Sequence, residues 1–334
     1  MSSPYHTHAE FEAARLASTE EAFLALPRDE LLLSYQANAL AECSRHTLLI
    51  VEKGRRIGFT WGVLAPLAVR TAASARGQGG MDFLYISYSK DMTREFMDAC
   101  AMWSKAFAMA ITAIDNEYIF EDQDEEGNSR NISASRIQFA SGFEIIALPS
   151  APRTIRGKQG VVAIDEAAHL NDLEAVAKAA MALRMWGGRV IIVSTHNGAD
   201  NPFNEMLNEV RSGKRKGGAL TISFNDAIAA GLYERVKLVT NTEFTKEEWI
   251  ADARGGYTED QQAEEFDCIP SQGAGSLIPL DKIMACTHDD AGKPELYAGG
   301  LVGVGRDVAI RKDLSVIHAV EAVSLVLWLR GALA

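Results

Sequence analysis

The chain has 334 residues, a formal net charge of −12 and a composition that is 47% hydrophobic and 23% charged. That length holds about two domains at roughly 100–200 residues each, and the composition is typical of globular proteins with a packed core. No apolar run approaches the ~20 residues that span a membrane, residues 1–20 lack a signal-peptide pattern, and the four cysteines show neither zinc-site nor disulfide spacing. We therefore expect a protein of a reducing cytoplasm.

The first part of the chain predicts two helices, a strand and a third helix. Apolar positions recur at helical spacing, and Pro27 ends the first segment. A β-branched and aliphatic run then leads into a glycine-containing loop, and turn-forming residues close the third helix. The predicted elements are helices over residues 9–26, 31–43 and 61–75, a strand over residues 47–51, and the loop over residues 53–60.

Short apolar strands alternate with helices in the middle of the chain. This alternation predicts an α/β domain with a largely parallel sheet that is covered on both faces. The acidic residues 121–128 are predicted to form a solvated hairpin or loop within it. The predicted strands cover residues 83–88, 136–139, 144–148, 161–164 and 190–194, and the predicted helices cover residues 90–111 and 173–185.

The character of the sequence changes near residue 225, where charged helices and loops begin, and new strands follow near the end. We predict an N-terminal helical segment (1–30), an α/β domain (31–224), a helical and loop linker (225–297) and an incomplete second domain (298–334). The strands of that last part are predicted at residues 300–304, 314–320 and 324–329. A segment of about 35 residues can hardly bury a core of its own.

The acidic net charge argues against wholesale coating of nucleic acid, although local basic patches set the field that a phosphate backbone meets. Basic residues cluster at residues 53–56, 153–158 and 211–216. The last of these clusters is either a solvated loop or a contact surface.

The loop over residues 53–60, with the sequence KGRRIGFT, is similar to a phosphate-binding loop between a strand and a helix. The usual pattern is GxxxxGK[ST]. Gly58 and Thr60 occupy the last-glycine and hydroxyl positions, but Phe59 stands where the lysine is expected. Backbone N–H groups at a helix N-terminus can still hold phosphate, and a threonine hydroxyl can still bind Mg²⁺.

Lys53, at the front of the loop, can supply the missing cation, and Arg55 or Arg56 can assist it. A basic turn without a nucleotide is the alternative for the loop considered alone. The predicted nucleotide-binding residues of the loop are Lys53, Gly54, Arg55, Arg56, Gly58, Phe59 and Thr60.

Two further strands end in residues that suit nucleotide hydrolysis. The apolar strand over residues 161–164 ends in Asp165 and Glu166, which suit a Mg²⁺ carboxylate and a carboxylate that polarises water. The strand over residues 190–194 ends in Ser194 and Thr195, which are typical of a γ-phosphate sensor. Each motif alone also fits an ordinary strand end, whereas their order in one α/β domain predicts a P-loop ATPase.

Tyr35 and Gln36 precede the loop on the second predicted helix. A glutamine amide can pair with both the donor and the acceptor of an adenine edge, and an aromatic neighbour can stack on the base. Without the other motifs, a Tyr-Gln pair is ordinary helix surface.

Taken in order, these motifs resemble the large terminase subunit of tailed phages, in particular the branch found in Mu-like prophages. The loop whose lysine is displaced to its front is the most specific element, and the resemblance covers about residues 30–322. It implies a P-loop NTPase with a mostly parallel central sheet of the additional-strand type, a helical linker and the first strands of an RNase H-like domain. It also implies a motor that uses ATP and Mg²⁺ to move double-stranded DNA into a procapsid.

The resemblance implies a role for each matching residue. Lys53 and Glu166 would be catalytic, Thr60 and Asp165 would bind Mg²⁺, and Gln36 would contact adenine. Arg156, in the segment over residues 153–157, would sense the nucleotide or act on a neighbouring subunit. The implied partners are double-stranded DNA, a portal protein, a small terminase subunit and further copies in a ring, in the cytoplasm of the bacterial host and away from membranes.

The family's second domain is a nuclease that uses two metal ions, and its opening resembles residues 302–316. Asp307 matches the first metal-binding carboxylate, while Gly305 and Arg306 depart slightly from the pattern. A two-metal site needs carboxylates from several elements, so we expect a truncated, inactive nuclease. Asp307 as a solvated strand-end residue is the alternative.

Three competing functions follow from the same motifs. Another nucleic-acid ATPase, such as a helicase, would unwind nucleic acid without a portal. A defective prophage remnant would bind terminase or portal subunits without turnover. A DNA-cutting enzyme in its own right is disfavoured by the missing carboxylates.

Overall fold

The computed structural model describes residues 31–107, 111–123, 129–155, 157–271, 287–307, 316–323 and 326–333. The chain divides into two compact units, Met1–Ala274 and Gly275–Ala334. The predicted helix over residues 9–26 lies outside the described residues. Among the helices that the structure describes, none is long and apolar enough to cross a membrane.

The first unit contains an eight-stranded sheet, and the α/β prediction is confirmed. Six neighbouring strands in the order β5-β2-β6-β7-β1-β8 are parallel, and the hairpin β3-β4 joins β5 antiparallel at one edge. The strands are β1 (Leu48–Lys53), β2 (Phe83–Ser87), β3 (Ile111–Gln123), β4 (Ser129–Phe139), β5 (Glu144–Pro149), β6 (Val161–Asp165), β7 (Arg189–Ser194) and β8 (Gly218–Ile222).

Nine α-helices are described. Six of them begin after a Ser, Thr, Asp or Asn whose side chain accepts a bond from a free backbone N–H of the first turn, which fixes where each helix starts. The helices are α1 (Ser34–Arg45), α2 (Ala65–Ala73), α3 (Lys90–Ala106), α4 (Leu173–Met181), α5 (Pro202–Arg211), α6 (Phe224–Ala229), α7 (Leu232–Thr240), α8 (Lys246–Gly255) and α9 (Glu259–Phe266).

Several elements differ between the prediction and the structure. The predicted helix over residues 90–111 ends at Ala106, and Ile111 already begins β3. The strand Gly218–Ile222 was not predicted. The strand lies beside β1 at the edge of the sheet. The apolar and polar residues of its own sequence alternate too weakly to indicate a strand. Of the acidic residues 121–128, for which a hairpin or loop is predicted, residues 121–123 belong to β3, and residues 124–128 lie outside the described residues.

Each face of the sheet carries its own core, because successive side chains of a strand point to opposite faces. In β1, Leu49 and Val51 pack into one cluster, and Leu48 and Ile50 pack into the other. All six residues of β1 are buried. This explains why the parallel strands read as continuous apolar runs.

The strand order brings three strand ends together. β7 lies between β1 and β6, so an additional strand separates the strand of the phosphate loop from the Asp-Glu strand. The register pairs Glu52 with Ser194 and Asp165 with Val193. Because parallel strands end at the same edge, Lys53, Asp165 and Ser194 lie side by side there.

The second unit contains an antiparallel sheet of β9 (Leu301–Asp307), β10 (Val316–Val323) and β11 (Val326–Leu333), in the order β11-β10-β9. Glu321 on β10 is buried and accepts bonds from the backbone N–H groups of Ala298 and Gly300 at 2.8–3.2 Å. The buried carboxylate therefore fixes the turn that leads into β9. The assignment of this sheet to an RNase H-like domain stays a prediction.

Candidate functional site

The phosphate loop connects β1 to a π-helical turn over Thr60–Leu64 that continues into α2. Two loop residues have a positive φ, Arg56 at 55° and Gly58 at 71°. Phe59 is only 2% exposed and packs in the core, so the position that carries lysine in the usual pattern holds a buried, uncharged side chain here. Lys53 instead ends β1 and reaches the cavity that the loop borders.

Lys53 and Glu166 form an ion pair at the centre of the site. The Lys53 ammonium donates to Glu166 Oε1 at 2.7 Å, and the two side chains are 5% and 19% exposed. Burial alone would raise the pKa of Glu166, but the charge and the hydrogen bond of Lys53 outweigh it and lower that pKa. Glu166 is therefore held as a carboxylate whose partner is the loop's displaced lysine.

Asp165 is fully buried and accepts three hydrogen bonds. Thr60 Oγ1 and the Tyr85 hydroxyl donate to Oδ2 at 2.6 and 2.8 Å, and the backbone N–H of Glu166 donates to Oδ1 at 3.0 Å. Burial and the neighbouring Glu166 raise the pKa of Asp165. The Tyr85 ring stacks on Phe96 with 3.8 Å between the ring centroids. Asp165 is thus oriented toward Thr60.

The turn after β6 is tied to the end of β7. Glu166 has a positive φ of 48°, an unfavourable conformation for a residue with a side chain. Its Oε2 accepts from the backbone N–H of Thr195 at 3.4 Å, and Ser194 Oγ accepts from the backbone N–H of Ala168 at 3.0 Å. His169, on the same turn, lies 3.4 Å from Thr195 Oγ1. Glu166 and the Ser-Thr motif therefore form one connected structure.

A cavity of about 450 Å³ opens over these residues, a size that is typical of small-molecule sites. Lys53, Arg55 and Arg56 line it on the loop side, and Thr60 lies at its base. The other lining residues include Tyr88, Glu166, His169 and Thr195 at the ends of β2, β6 and β7, and Asp91, Met92 and Glu95 on α3. The cationic wall suits an anion such as a phosphate chain.

The donor set fits Mg²⁺, which prefers oxygen ligands and is often held by few protein groups together with substrate phosphates. Thr60, which lines the cavity, supplies a hydroxyl, and the buried Asp165 supplies a carboxylate whose oxygen lies 2.6 Å from it. Within the described part of the chain, no group of three or more His, Cys, Asp or Glu side chains could hold a metal ion.

A buried charged network lies beneath the site. Glu52, the residue before Lys53, accepts from Thr221 Oγ1 at 2.6 Å and from Arg211, and its Oε2 lies 2.8 Å from His196 Nε2. Burial would raise the pKa of Glu52, but the bonds from His196, Thr221 and Arg211 lower it. His196 directly follows the Ser-Thr motif, so this network joins the ends of β1 and β7.

The basic cluster over residues 211–216 is mostly paired within the chain. Arg211 bonds the buried Glu52, while Lys214 and Arg215 both bind Glu209, at 2.8 and 2.6 Å. These charges already have internal partners. Of the two alternatives, the pairing favours a solvated loop over a contact surface for nucleic acid.

The end of β8 and a helix of the predicted linker, α9, support the front of the phosphate loop. The backbone N–H of Gly54 donates to Ile222 O at 2.8 Å, and that of Arg55 donates to Glu265 O at 2.6 Å. The Arg55 guanidinium also pairs with Glu265 Oε1 at 2.9 Å. A Cβ at Gly54 would lie 2.7 Å from the backbone nitrogen of Phe224, so only glycine fits there.

Tyr35 and Gln36 contact the phosphate loop from α1. The Tyr35 hydroxyl donates to Ile57 O, and Gln36 Nε2 donates to Gly58 O at 3.2 Å. Neither residue occurs among the described residues that line the cavity. Adenine recognition by this pair stays a prediction.

The structure thus brings Lys53, Thr60, Glu166 and Thr195 together at one cavity, and the buried Asp165 bonds to Thr60. Arg156 lies outside the described residues. Asp307 ends β9 in the second unit, paired in register with Val316, and its role as a metal ligand stays a prediction.

Sequence reasoning missed Tyr85, His169 and the Glu52–His196 pair. His169 follows Glu166 by three residues, and that spacing could have placed it on the same turn. Tyr85 shows no local signal, because its contact with Asp165 depends on β2 lying beside β6.

Comparisons with known proteins give consistent matches. A family model described as the terminase large subunit, T4likevirus-type, N-terminal, matches residues 50–285. The Mu-like prophage FluMu protein gp28 of Haemophilus influenzae is 45% identical over 257 residues, which are 76% of this chain and 49% of that protein. The probable terminase large subunit gp28 of Escherichia phage Mu is 39% identical over 260 residues, 76% of this chain and 46% of that protein. The chain therefore spans about half the length of these curated relatives.

Among solved structures, the large terminase of a thermophilic bacteriophage has 12% identity and a TM-score of 0.48, covering 90% of this chain and 68% of that one. The large terminase ATPase domain of Thermus phage P74-26 has 16% identity and a TM-score of 0.43, covering 70% of this chain and 92% of that one.

Proposed function

We propose, since this chain belongs to the terminase large subunit family, that it hydrolyses ATP as the motor part of a machine that packages double-stranded DNA into a procapsid. One observation carries the proposal. A displaced lysine, a Mg²⁺-type hydroxyl and carboxylate pair and a second carboxylate, from separate elements of the sheet edge, meet at one cavity. A terminase-like motor needs this set to bind and cleave a nucleoside triphosphate.

Binding starts at the phosphate loop. Its backbone N–H groups, at the start of a helical turn, attract phosphate oxygens, and the Lys53 ammonium neutralises their charge. Thr60 and Asp165 would hold Mg²⁺, which would offset the negative charge that develops on the phosphates during transfer. Lys53 is bonded to Glu166 in the ligand-free chain, so phosphate binding competes for the lysine and releases the glutamate.

Hydrolysis then depends on Glu166. Once it is released from Lys53, its carboxylate orients the attacking water and accepts a proton from it. Its Oε2 also accepts from the backbone N–H of Thr195, so a displacement of Glu166 reaches the β7 end. Ser194 and Thr195 would carry that displacement toward the element that grips DNA.

The wider assignments remain proposals that rest on the family. They comprise double-stranded DNA, a portal protein and a small terminase subunit as partners, and further copies of the chain in a ring. Arg156 would act on a neighbouring copy, and Asp307 would be the first carboxylate of the nuclease.

The test is ATPase activity of purified variants, with and without double-stranded DNA. Lys53→Ala removes the cation on the phosphates, and we expect a loss of about 10²–10³-fold, by analogy with removal of a transition-state donor. Glu166→Gln removes the base, and we expect a loss of about 10²–10⁴-fold. The exposed Lys216→Ala and Glu243→Gln are matched controls that should hydrolyse ATP normally.

Three results would count against the proposal. Normal hydrolysis by Lys53→Ala would contradict the displaced-lysine assignment. Tight Mg²⁺–ATP binding without turnover in the wild-type chain would favour a partner-binding remnant. Strand separation without any translocation on duplex DNA would favour a helicase.

A further inference from the structure

We propose that Tyr35 and Gln36 are positioning residues that hold the phosphate loop in its anion-binding shape, rather than readers of the adenine base. The inference rests on the proposed function, because it concerns how the same site binds a nucleoside triphosphate. It predicts that the two side chains strengthen the binding of every phosphate ligand by the same factor, whatever base the ligand carries.

Both side chains already make hydrogen bonds to backbone groups of the chain. Tyr35 and Gln36 are consecutive on α1, and they donate to the consecutive carbonyl oxygens of Ile57 and Gly58. Gln36 Oε1 meanwhile accepts from the backbone N–H of Leu33 at 3.0 Å. The side chains are buried, with 9% and 3% exposure. These bonds fix the plane of the Gln36 amide, so an adenine edge would have to reach its remaining N–H and lone pair at a buried position that does not line the cavity.

The bonds hold the part of the loop whose shape matters most. Gly58 has a φ of 71°, and its carbonyl oxygen accepts both from Gln36 and from the backbone N–H of Gly62 at 2.8 Å. This carbonyl orients the peptide at which the loop turns into the helix. The N–H groups that follow are the ones that face a bound phosphate. Without the hydrogen bonds from Tyr35 and Gln36, these N–H groups would no longer be held in one direction.

Gly62 provides independent support for the contact between the Gln36 amide and the turn that follows the loop. A Cβ at this position would lie 2.4 Å from Gln36 Nε2 and 2.6 Å from Gln36 Cδ, and the three nearest heavy atoms all belong to that amide. A glycine within a helical turn is destabilising relative to alanine, so the position needs a reason. Room for the Gln36 amide against the turn supplies one.

The experiment measures displacement of a fluorescent ATP analogue from the 334-residue chain, with Mg²⁺, by ATP, GTP and inorganic tripolyphosphate. Tyr35→Phe and Gln36→Ala each remove one bond to the loop. We expect each to weaken all three competitors by a common factor of about three to ten, the effect of one hydrogen bond. The ATP-to-GTP ratio stays at its wild-type value. Tyr297→Phe, which removes a tyrosine bond to Gly300 O in the other unit, is the matched control.

A second arm uses Gly62. Gly62→Ala displaces the Gln36 amide, so we expect the same loss for all three ligands as in Gln36→Ala. In the double variant the new methyl group occupies the space that Gln36 leaves, so binding is no weaker than in Gln36→Ala alone. Should Gly62→Ala alone fail to fold, the double variant still folds and keeps this comparison.

The outcomes separate the two proposals. If ATP binding falls while GTP and tripolyphosphate binding persist, the pair reads the base and the inference is overturned. Multiplicative losses in the double variant also overturn it, because Gly62 then acts independently of Gln36. If the wild-type chain binds none of the three ligands, the proposed function is wrong, and the inference, which rests on it, is wrong as well.

Discussion

Removal of Lys53 should cost more stability than removal of its partner Glu166, and the two losses should not add. The ion pair has a separation of 2.7 Å, at which two unit charges attract by about 6 kcal/mol with an effective dielectric constant of roughly 20. Desolvation and ordering of the side chains offset part of that attraction. Breaking such a buried pair by deleting one partner costs about 3–5 kcal/mol.

The neighbouring Asp165 makes the two substitutions differ in their effect on the free energy of unfolding. Lys53→Met leaves Asp165 and Glu166 as adjacent carboxylates without their cation, and we expect a loss of about 4 kcal/mol in the free energy of unfolding. Glu166→Gln relieves the repulsion between the carboxylates and leaves Lys53 near Asp165, so we expect a loss of about 1 kcal/mol. The double variant should lose about 3 kcal/mol, a coupling of about 2 kcal/mol between the residues.

Urea unfolding of the ligand-free chain measures these values. A Trp328→Phe background places the four remaining tryptophans, which include the buried Trp103, in the first unit, so that fluorescence reports on the unit that contains the pair. Additive losses within about 0.5 kcal/mol, or a larger loss for Glu166→Gln than for Lys53→Met, would refute the role assigned to Lys53 in the ligand-free site.

Two further predictions concern the groups that surround the site. Tyr85→Phe keeps the ring on Phe96 but removes one bond to Asp165, so we expect a loss of about 1.5–3 kcal/mol in stability and a higher Mg²⁺ requirement in ATPase assays; an unchanged Mg²⁺ titration would contradict this. Glu52→Gln should cost about 3 kcal/mol, the lower end for a broken buried pair, because Arg211 is partly exposed. Since the folded-state pKa of Glu52 is lowered from 4.5, its contribution is complete above that value and is lost as the pH falls through the folded-state pKa. The stability of Glu52→Gln should therefore depend less steeply on pH in acid than that of the wild type, as urea midpoints would measure.

The chemistry of the strand ends could be predicted because it is local. The apolar run before Asp165 marks a buried strand, and a glycine-containing loop after β1 marks the start of a helix. The displaced lysine could also be inferred, since Phe59 stands in the usual position and Lys53 is the cation at the other end of the loop. The structure adds the reason: Phe59 is a core residue.

Other features could not be predicted, because they depend on strands that are distant in sequence. Tyr85 meets Asp165 only because β2 lies beside β6, 80 residues away. Glu52 lies between β7 and β8, and only that order gives it His196 and Thr221 as partners. The role of the Tyr-Gln pair was inferred from its hydrogen-bonding capacity, whereas the fold decides which groups use that capacity.

The sequence by itself determined the elements and the kinds of chemistry at their ends, since periodicity and glycine placement act over a few residues. The tertiary structure determined which of these side chains bond to each other. The pairs Thr60–Asp165 and Lys53–Glu166 join residues 105 and 113 positions apart. Their contact depends on the order β6-β7-β1 and on its register, which arise when both faces of the sheet bury their apolar side chains together.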